Sequence, residues 1–584
     1  MKSERICRGA IFRALLFSFF LVACSGGNTA TADADVGEVS DTGEVSDTGD
    51  AGDISDASDM DVSDTPDVTD LAADNDLVEP PDMDEPDIPP AILSLSVTMN
   101  PNEAAPLVGV ITATTEPATR LRVTLESVEG PQTLRYAALA TQHRLPILGL
   151  LPDTTYTVTV SAETFHGKTV DHPGAFTLVV PPLHPDFPAI QHTFPLPAEG
   201  REKGYLFIML SRADGFTEDF GFQTIAFDTS GTIRWIFRSN EEQHGLAALS
   251  NGDLIAQSST RIREISPAGD IVHEWCSVKA SCENPTTIVS GIPFFHHSAL
   301  LTEHNTVVTL GNDFRTVDNY PTSETDPDAP KDTVLLRGDT IVEFALDGTL
   351  LRQHSLFDLL DINRFGYLLI PGYQWSHANY VLPVAEDDSL VVSVRHQSCI
   401  VKIDRLSGAV RWILGNHENW AQPFEPYLLA PVGSSFAWQW YQHKPKLTSH
   451  GTFLVFDNGN YKAMPFDAFV SDEDNWSRGV EYRVNETAMT VEQVWEWSPT
   501  NERLFSFSTG DIVHLSAKDH VLIVFGNITN GEKHSARIFE VTRTTPAQIL
   551  YEMRIDDFQT SANGWVVYSS VFRPSLYPDG MLEE

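Results

Sequence analysis

A chain of 584 residues is longer than one ordinary domain, so two or more are expected. Its 81 acidic against 38 basic side chains leave a formal charge of −43, which speaks against nucleic acid or an anionic membrane surface as partner. The charge is unevenly spread, because residues 30–90 hold 21 Asp or Glu and no Lys or Arg, about half of the net total.

At the N-terminus Lys2, Arg5 and Arg8 precede an apolar run from Ala10 to Ala23, broken once by Arg13. This is the layout of an export signal, and the run is short for a membrane span. It ends in Leu21-Val22-Ala23-Cys24, which resembles a bacterial lipobox. The resemblance implies cleavage before Cys24 and a lipid on its thiol. Ser25 and Gly26, with no aspartate among them, imply outer-membrane anchoring that faces the periplasm or the cell surface. An ordinary cleaved signal with a chance cysteine is the alternative. Residues 25–90 repeat Gly-Glu-Val-Ser-Asp-Thr from Gly37 and from Gly43. With little to bury and strong self-repulsion they are expected to be a disordered acidic tether. The irregular Gly and Asp spacing specifies no calcium cage.

From 91 to 186 short runs alternate apolar and polar positions, as in Leu121-Arg122-Val123-Thr124-Leu125 and Tyr156-Thr157-Val158-Thr159-Val160. Turn residues separate them, the pattern of a small β-sandwich. Leu151-Pro152-Asp153-Thr154-Thr155-Tyr156 resembles the tyrosine corner of fibronectin type III domains. Between about 200 and 584 a unit of two strands around a tight turn recurs six times, from Ile225–Phe237 to Ile538–Ile555. Further strands precede each unit, so the pattern reads as four antiparallel strands per repeat. The first unit lacks its innermost strand, which Trp565 to Val571 can supply. The fold expected is therefore all-β, a six-bladed propeller after a β-sandwich. Cys276 and Cys282 flank a short loop and are expected to pair in an exported protein, leaving Cys399 as a buried thiol.

Histidines recur near the start of the innermost strand in five repeats: His244, His297, His377, His443 and His514. In an antiparallel blade these starts lie beside the pore, on the face that also receives the long insertions 311–338, 357–375, 415–440 and 459–478. Arg395 and Asp457-Asn458-Gly459 end second strands on that same face. Imidazoles around one guanidinium make an anion site, since arginine offers a planar fork of donors to a tetrahedral oxyanion. Taken singly, strand histidines are usually structural, and His244 and His514 fit that reading as well.

The blocks Trp375-Ser376-His377-x-Asn379, Ser393-x-Arg395-x-Gln397-Ser398, Trp412-Ile413-Leu414-Gly415, Gln442-His443 and Phe456-Asp457-Asn458-Gly459 resemble the bacterial arylsulfotransferases. Phe295-His296-His297 is similar to an earlier block, with Ser298 where an acidic residue is more usual. The resemblance implies transfer of a sulfuryl group from an aryl sulfate donor to a phenol acceptor, without 3'-phosphoadenosine 5'-phosphosulfate and without cofactor or metal. It implies His443 as nucleophile through a sulfohistidine, with ping-pong kinetics. Arg395, Asn379, His377 and His297 would hold the sulfuryl oxygens, one of the two histidines also serving as acid. His296, Asn458 and His514 are the further substrate contacts expected. Two rivals stay open: a metal-dependent oxidoreductase or lyase built on the histidine ring, and a non-catalytic surface-binding propeller. Arg395 at the centre argues against the first, because a guanidinium repels a cation.

Overall fold

Alternation in the first domain becomes strand structure directly. In the computed structural model, which describes residues 88–195, 200–280, 282, 287–289, 291–370 and 372–583, seven strands lie between Ala91 and Val179. The signal peptide, Cys24 and all but the last three residues of the tether lie outside the described residues. One long strand, Gly109–Ser127, pairs by its first half with Ala91–Met99 and Ala140–Ile147. Its second half pairs with Thr155–Thr164 and Gly130–Arg135, so a single strand serves both layers. Leu121, Val123 and Leu125 are buried on one side of it. At the corner, the Leu151 amide donates to the Tyr156 hydroxyl at 2.9 Å.

Six antiparallel sheets follow, each of four main strands. Named a to d from the pore outward, blade two is Gln243–Ala248, Leu254–Ser258, Arg261–Ile265 and Ile271–Cys276; blade three is Phe295–Leu301, Thr306–Tyr320, Asp332–Ala345 and Leu350–Ser355. Blade four is Ala378–Val384, Ser389–Val394, Cys399–Asp404 and Val410–Gly415. Blade five is His443–Leu447, Phe453–Asp457, Arg478–Asn485 and Thr490–Trp497; blade six is Asp511–Leu515, His520–Asn530, Lys533–Thr542 and Ile549–Ile555. Blade one takes its strand a from the far end of the chain: Trp565–Arg573 pairs with Tyr205–Arg212, ahead of Phe222–Phe227 and Ile233–Ser239. The ring is thus closed by hydrogen bonds between its two ends, as the sequence pattern led one to expect.

Outer-strand tryptophans tie blades one, two and four to the blades that follow them. The indoles of Trp235, Trp275 and Trp412 donate to Pro267, Leu346 and Glu486, in the c-to-d turns of the following blades. Short extra strands cover outer edges of blades two, five and six, which removes unpaired backbone there. The one on blade six, Ile190–Thr193, lies upstream of residue 200, where the sequence reading starts the propeller. Residues 311–338 are not a loop insertion but an extension of the b–c hairpin of blade three. Its tip reaches over the mouth, where the Glu324 carboxylate accepts from the Ile370 amide and the Glu324 carbonyl from the Phe466 amide. Cys276 and Cys282 are disulfide-bonded. Cys399 is a buried thiol that burial pushes up to about 12.

Candidate active site

The innermost strands of blades two to five each open with a β-bulge, between Gln243 and Gly245, His296 and Ala299, Ala378 and Tyr380, and His443 and Lys446. A bulge adds one residue to its strand and re-aims the side chains beside it. Three residues at these openings are left-handed without being glycine: His297 at φ 64°, His377 at φ 43° and Lys444 at φ 45°. Each such residue costs on the order of 1–3 kcal/mol, and strain of this kind gathers at functional sites. The imidazoles that result form an arc. Ring centres are 6.3 Å apart from His244 to His297, 5.0 Å from His297 to His377 and 4.6 Å from His377 to His396, the last pair stacked.

The protonation of His443 is fixed by its surroundings. Its Nδ1 lies 2.6 Å from Asn458 Oδ1, while Asn458 Nδ2 donates to the carbonyls of Ser506 and Thr509 at 2.7 and 2.8 Å. Two carbonyl partners require the amide nitrogen on their side, so the oxygen faces the imidazole and must accept. Nδ1 therefore carries the proton and Nε2 is left with its lone pair. Burial, then the Arg395 charge, hold His443 down to about 3. The ring is a neutral base at any physiological pH.

Arg395 sits in a short turn, Arg395–Gln397, just past strand b of blade four. Its Nη1 donates to His396 Nε2 at 3.0 Å and its Nη2 to the Phe507 carbonyl at 3.0 Å. Tyr441 and Phe507 flank the guanidinium, 5.4 and 5.9 Å from ring centre to carbon. Among the described residues its Nε has no hydrogen-bond partner. Among the described residues no carboxylate lies within ion-pair distance, although the side chain is buried. Burial lowers it to about 10, which leaves it charged. A buried cation without a counter-ion costs several kcal/mol, and an anion brought to it would repay that cost.

His396 is neutral as well, held to about 3 by burial and by Arg395. Its Nδ1 faces the Gln374 carbonyl at 2.8 Å, so that nitrogen donates and Nε2 accepts from the guanidinium. His297 and His377 lie well below their ordinary values, through burial first and then neighbouring cations and imidazoles. Behind His297, His296 links His297 Nδ1 at 2.9 Å to Asp339 Oδ1 at 3.2 Å. Lys444, next in chain to His443, places its ammonium 3.1 Å from Asp511 and 3.1 Å from the Tyr568 carbonyl. Burial lowers it to about 8, with Asp511 opposing.

Residues 195–565 match the arylsulfotransferase family, and residues 96–176 match the arylsulfotransferase Ig-like domain. The chain belongs to the arylsulfotransferase family. Two curated members resemble it in part. One is the arylsulfate sulfotransferase AssT of Escherichia coli O6:H1, 31% identical over 195 residues, 31% of each chain. The other is AssT of Lelliottia amnigena, 31% identical over 194 residues, 30% of each. The aligned region thus spans about a third of these relatives. A solved protein of unknown function from Bacteroides caccae aligns over 64% of this chain and all of its own, at 12% identity and a TM-score of 0.36.

Within this member of the family the expected residues fall into three groups. His443, His377, His297 and Arg395 share the pore mouth with Asn379, whose Nδ2 donates to the Gln442 carbonyl at 2.8 Å while its Oδ1 has no partner among the described residues. Asn379 therefore presents an acceptor, which suits a hydroxyl better than a sulfuryl oxygen. Asn458 and His296 are corrected: they stand behind His443 and His297, bonded to them, rather than lining the space for substrate. His514 is corrected too, because it lies near the opposite end of its strand, 2.9 Å from Asp519 and packed against His450. The position in blade six that answers to His443 is Asp511, eight residues ahead of Asp519 as His443 is ahead of Gly451. Sequence reasoning missed His396, Lys444 and Asp511. The same eight-residue spacing would have found Asp511.

Proposed function

We propose that the protein transfers a sulfuryl group from an aryl sulfate ester to a phenol through a sulfohistidine at His443, with no nucleotide donor. One observation carries the reading: a buried guanidinium with no counter-anion beside a histidine whose Nε2 lone pair is left free. The Nε2 pair attacks sulfur, the sulfur–oxygen ester bond breaks, and the phenolate leaves with the electron pair. The ring becomes cationic, and its Nδ1–H to Asn458 shares the charge. Arg395 holds the sulfuryl oxygens, beside the neutral imidazoles of His297 and His377. The one N–H of neutral His377 is taken by Gln374 Oε1 at 2.8 Å.

Neutral imidazoles have no proton to spare for the leaving oxygen. Lys444, near 8 and protonated at neutral pH, is the acid in this reading. Its amine then takes the acceptor's proton as the phenol oxygen attacks sulfur, and the sulfur–nitrogen bond returns its pair to Nε2. Lys444→Gln should slow kcat/KM by about 10²–10⁴ for donors whose phenols leave poorly, and hardly at all for nitrophenyl sulfate. A loss independent of the leaving group would make Lys444 structural only. The parent reading is checked by turnover of a chromogenic aryl sulfate with and without added phenol. It stands if release depends on acceptor and sulfated phenol appears. It falls if transfer needs a nucleotide sulfate or a metal ion.

The Leu21-Val22-Ala23-Cys24 motif supports a lipid anchor in the outer membrane, joined to the enzyme by the acidic tether. Cys24→Ser should leave the protein unprocessed or released in soluble form on fractionation. Processed mutant protein that still sediments with membranes would end the anchor proposal.

A further inference from the structure

A second cluster of imidazoles lies at the far end of the same strands, on the propeller face opposite the mouth. His450 is in the a-to-b turn of blade five, His514 near the end of strand a of blade six, and Asp519 in the turn that follows it. We propose that these three residues form a metal site for a borderline divalent cation such as Zn2+, clamping blade five to blade six.

The geometry is close to what the ion needs. His450 Nε2 and His514 Nε2 each lie 2.9 Å from the same oxygen, Asp519 Oδ1. The ligand atoms of all three residues lie within 4.8 Å of one another. Tetrahedral zinc, with bonds of about 2.0–2.1 Å to nitrogen and oxygen, sets neighbouring ligands roughly 3.3 Å apart. Each nitrogen therefore has to recede from Oδ1 by only a few tenths of an ångström for the ion to replace two hydrogen bonds. Two imidazoles and a carboxylate suit zinc, copper or nickel rather than calcium or magnesium. Half-exposed His450 and Asp519 leave the remaining positions to water. The Ser449 amide is 3.5 Å from His514 Nδ1, too far to fix the tautomer against coordination.

An outer partner is also in place. Arg543 lies 3.3 Å from Asp519 Oδ2, and its charge is already taken up by the buried Glu481, whose oxygens its Nε and Nη2 approach to 2.8 and 3.1 Å. Arg543 Nη1 also lies 3.4 Å from Oδ1, so the guanidinium straddles the carboxylate whose Oδ1 meets both imidazoles. With its charge taken up by Glu481, it is a hydrogen-bonding support behind the metal ligand.

The junction of blades three and four is an internal control. There His304 meets Asp388 at 3.2 Å, and Arg405 holds Asp388 as Arg543 holds Asp519. The place of His514, five residues before the turn aspartate, is taken by Pro383, and the third group is Glu303. With one imidazole, that junction is the weaker site for zinc.

The test uses full-length protein freed of metal with a chelator, then titrated with Zn2+ by calorimetry and with Co2+ by visible absorption. Wild type should take up one equivalent and melt at a higher temperature with Zn2+. His450→Ala and His514→Ala should each lose the uptake and the shift, while His304→Ala keeps both. His450 is half exposed, so its variant keeps the fold even if His514→Ala does not, and metal-free melting verifies this. Aryl sulfate turnover should be the same for wild type and His450→Ala, with or without Zn2+. No uptake by wild type overturns the proposal, as does equal uptake by His450→Ala and His514→Ala. Uptake lost instead in His297→Ala would move the ion to the pore and overturn it too.

Discussion

His443→Asn should abolish both half-reactions, with a loss on the order of 10⁶ in kcat, the scale seen when a covalent nucleophile is removed. Asparagine keeps a polar side chain of similar reach, but the lone pair of its amide nitrogen is delocalised into the carbonyl and is not available to sulfur. Wild-type enzyme mixed with an aryl sulfate and no acceptor should carry one sulfuryl group on the peptide holding Gln442-His443. Mass spectrometry reads it, and a bond stable to alkali and lost in acid marks it as a sulfonated imidazole. A group found on another residue, or a His443→Asn enzyme with most of its activity, would remove the role given to this histidine.

The same burial that frees the Nε2 pair weakens the protein in acid. His443 and His396 fall to about 3 in the folded chain against about 6.5 for a free imidazole. Below pH 6.5 the unfolded chain therefore binds more protons than the folded one. Stability is intact above about pH 6.5 and declines towards pH 3 by up to ~1.4 kcal/mol per pH unit for each of the two. Activity lost in acid should then follow unfolding, seen as a falling melting temperature, rather than titration of the nucleophile.

The propeller was legible because its repeat is local. Two strands around a tight turn mark each blade within a short stretch of chain. Glycine in the outer turns of blades one to four, outer tryptophans in blades one, two, four and five, and histidines at the first strand of blades two to five help. Closure by Trp565–Arg573 was legible for the same reason, since the first repeat is short of one strand. Function within the ring was less so. Asn458 stands at a strand end as a substrate contact would, and only its two carbonyl partners, from residues 506 and 509, show that it fixes a tautomer instead. His396 has no strand position at all, because it is carried by a turn. His514 matched by residue type, whereas the spacing to the turn singles out Asp511. Type without register placed it at the wrong end of the strand.

Arg395→Lys should cost about 10²–10³ in kcat, the scale of losing a fixed donor to developing charge, and leave a measurable remainder. The guanidinium fills two fixed acceptors, His396 Nε2 and the Phe507 carbonyl, and still has Nε free for the sulfuryl group. An ammonium is a point charge that cannot span all three, and its pKa falls on burial. His396→Phe tests how the fork is held. A phenyl ring can keep the stack on His377, 4.6 Å from ring to ring in the parent, but accepts nothing from Nη1. A hydrogen bond to a charged group is worth about 1.5–3 kcal/mol, so the loss in kcat/KM should be roughly 10–10²-fold. Because both changes act through one guanidinium, the double variant should be no worse than Arg395→Lys alone. If instead the two losses multiply, His396 works through His377 and not through Arg395.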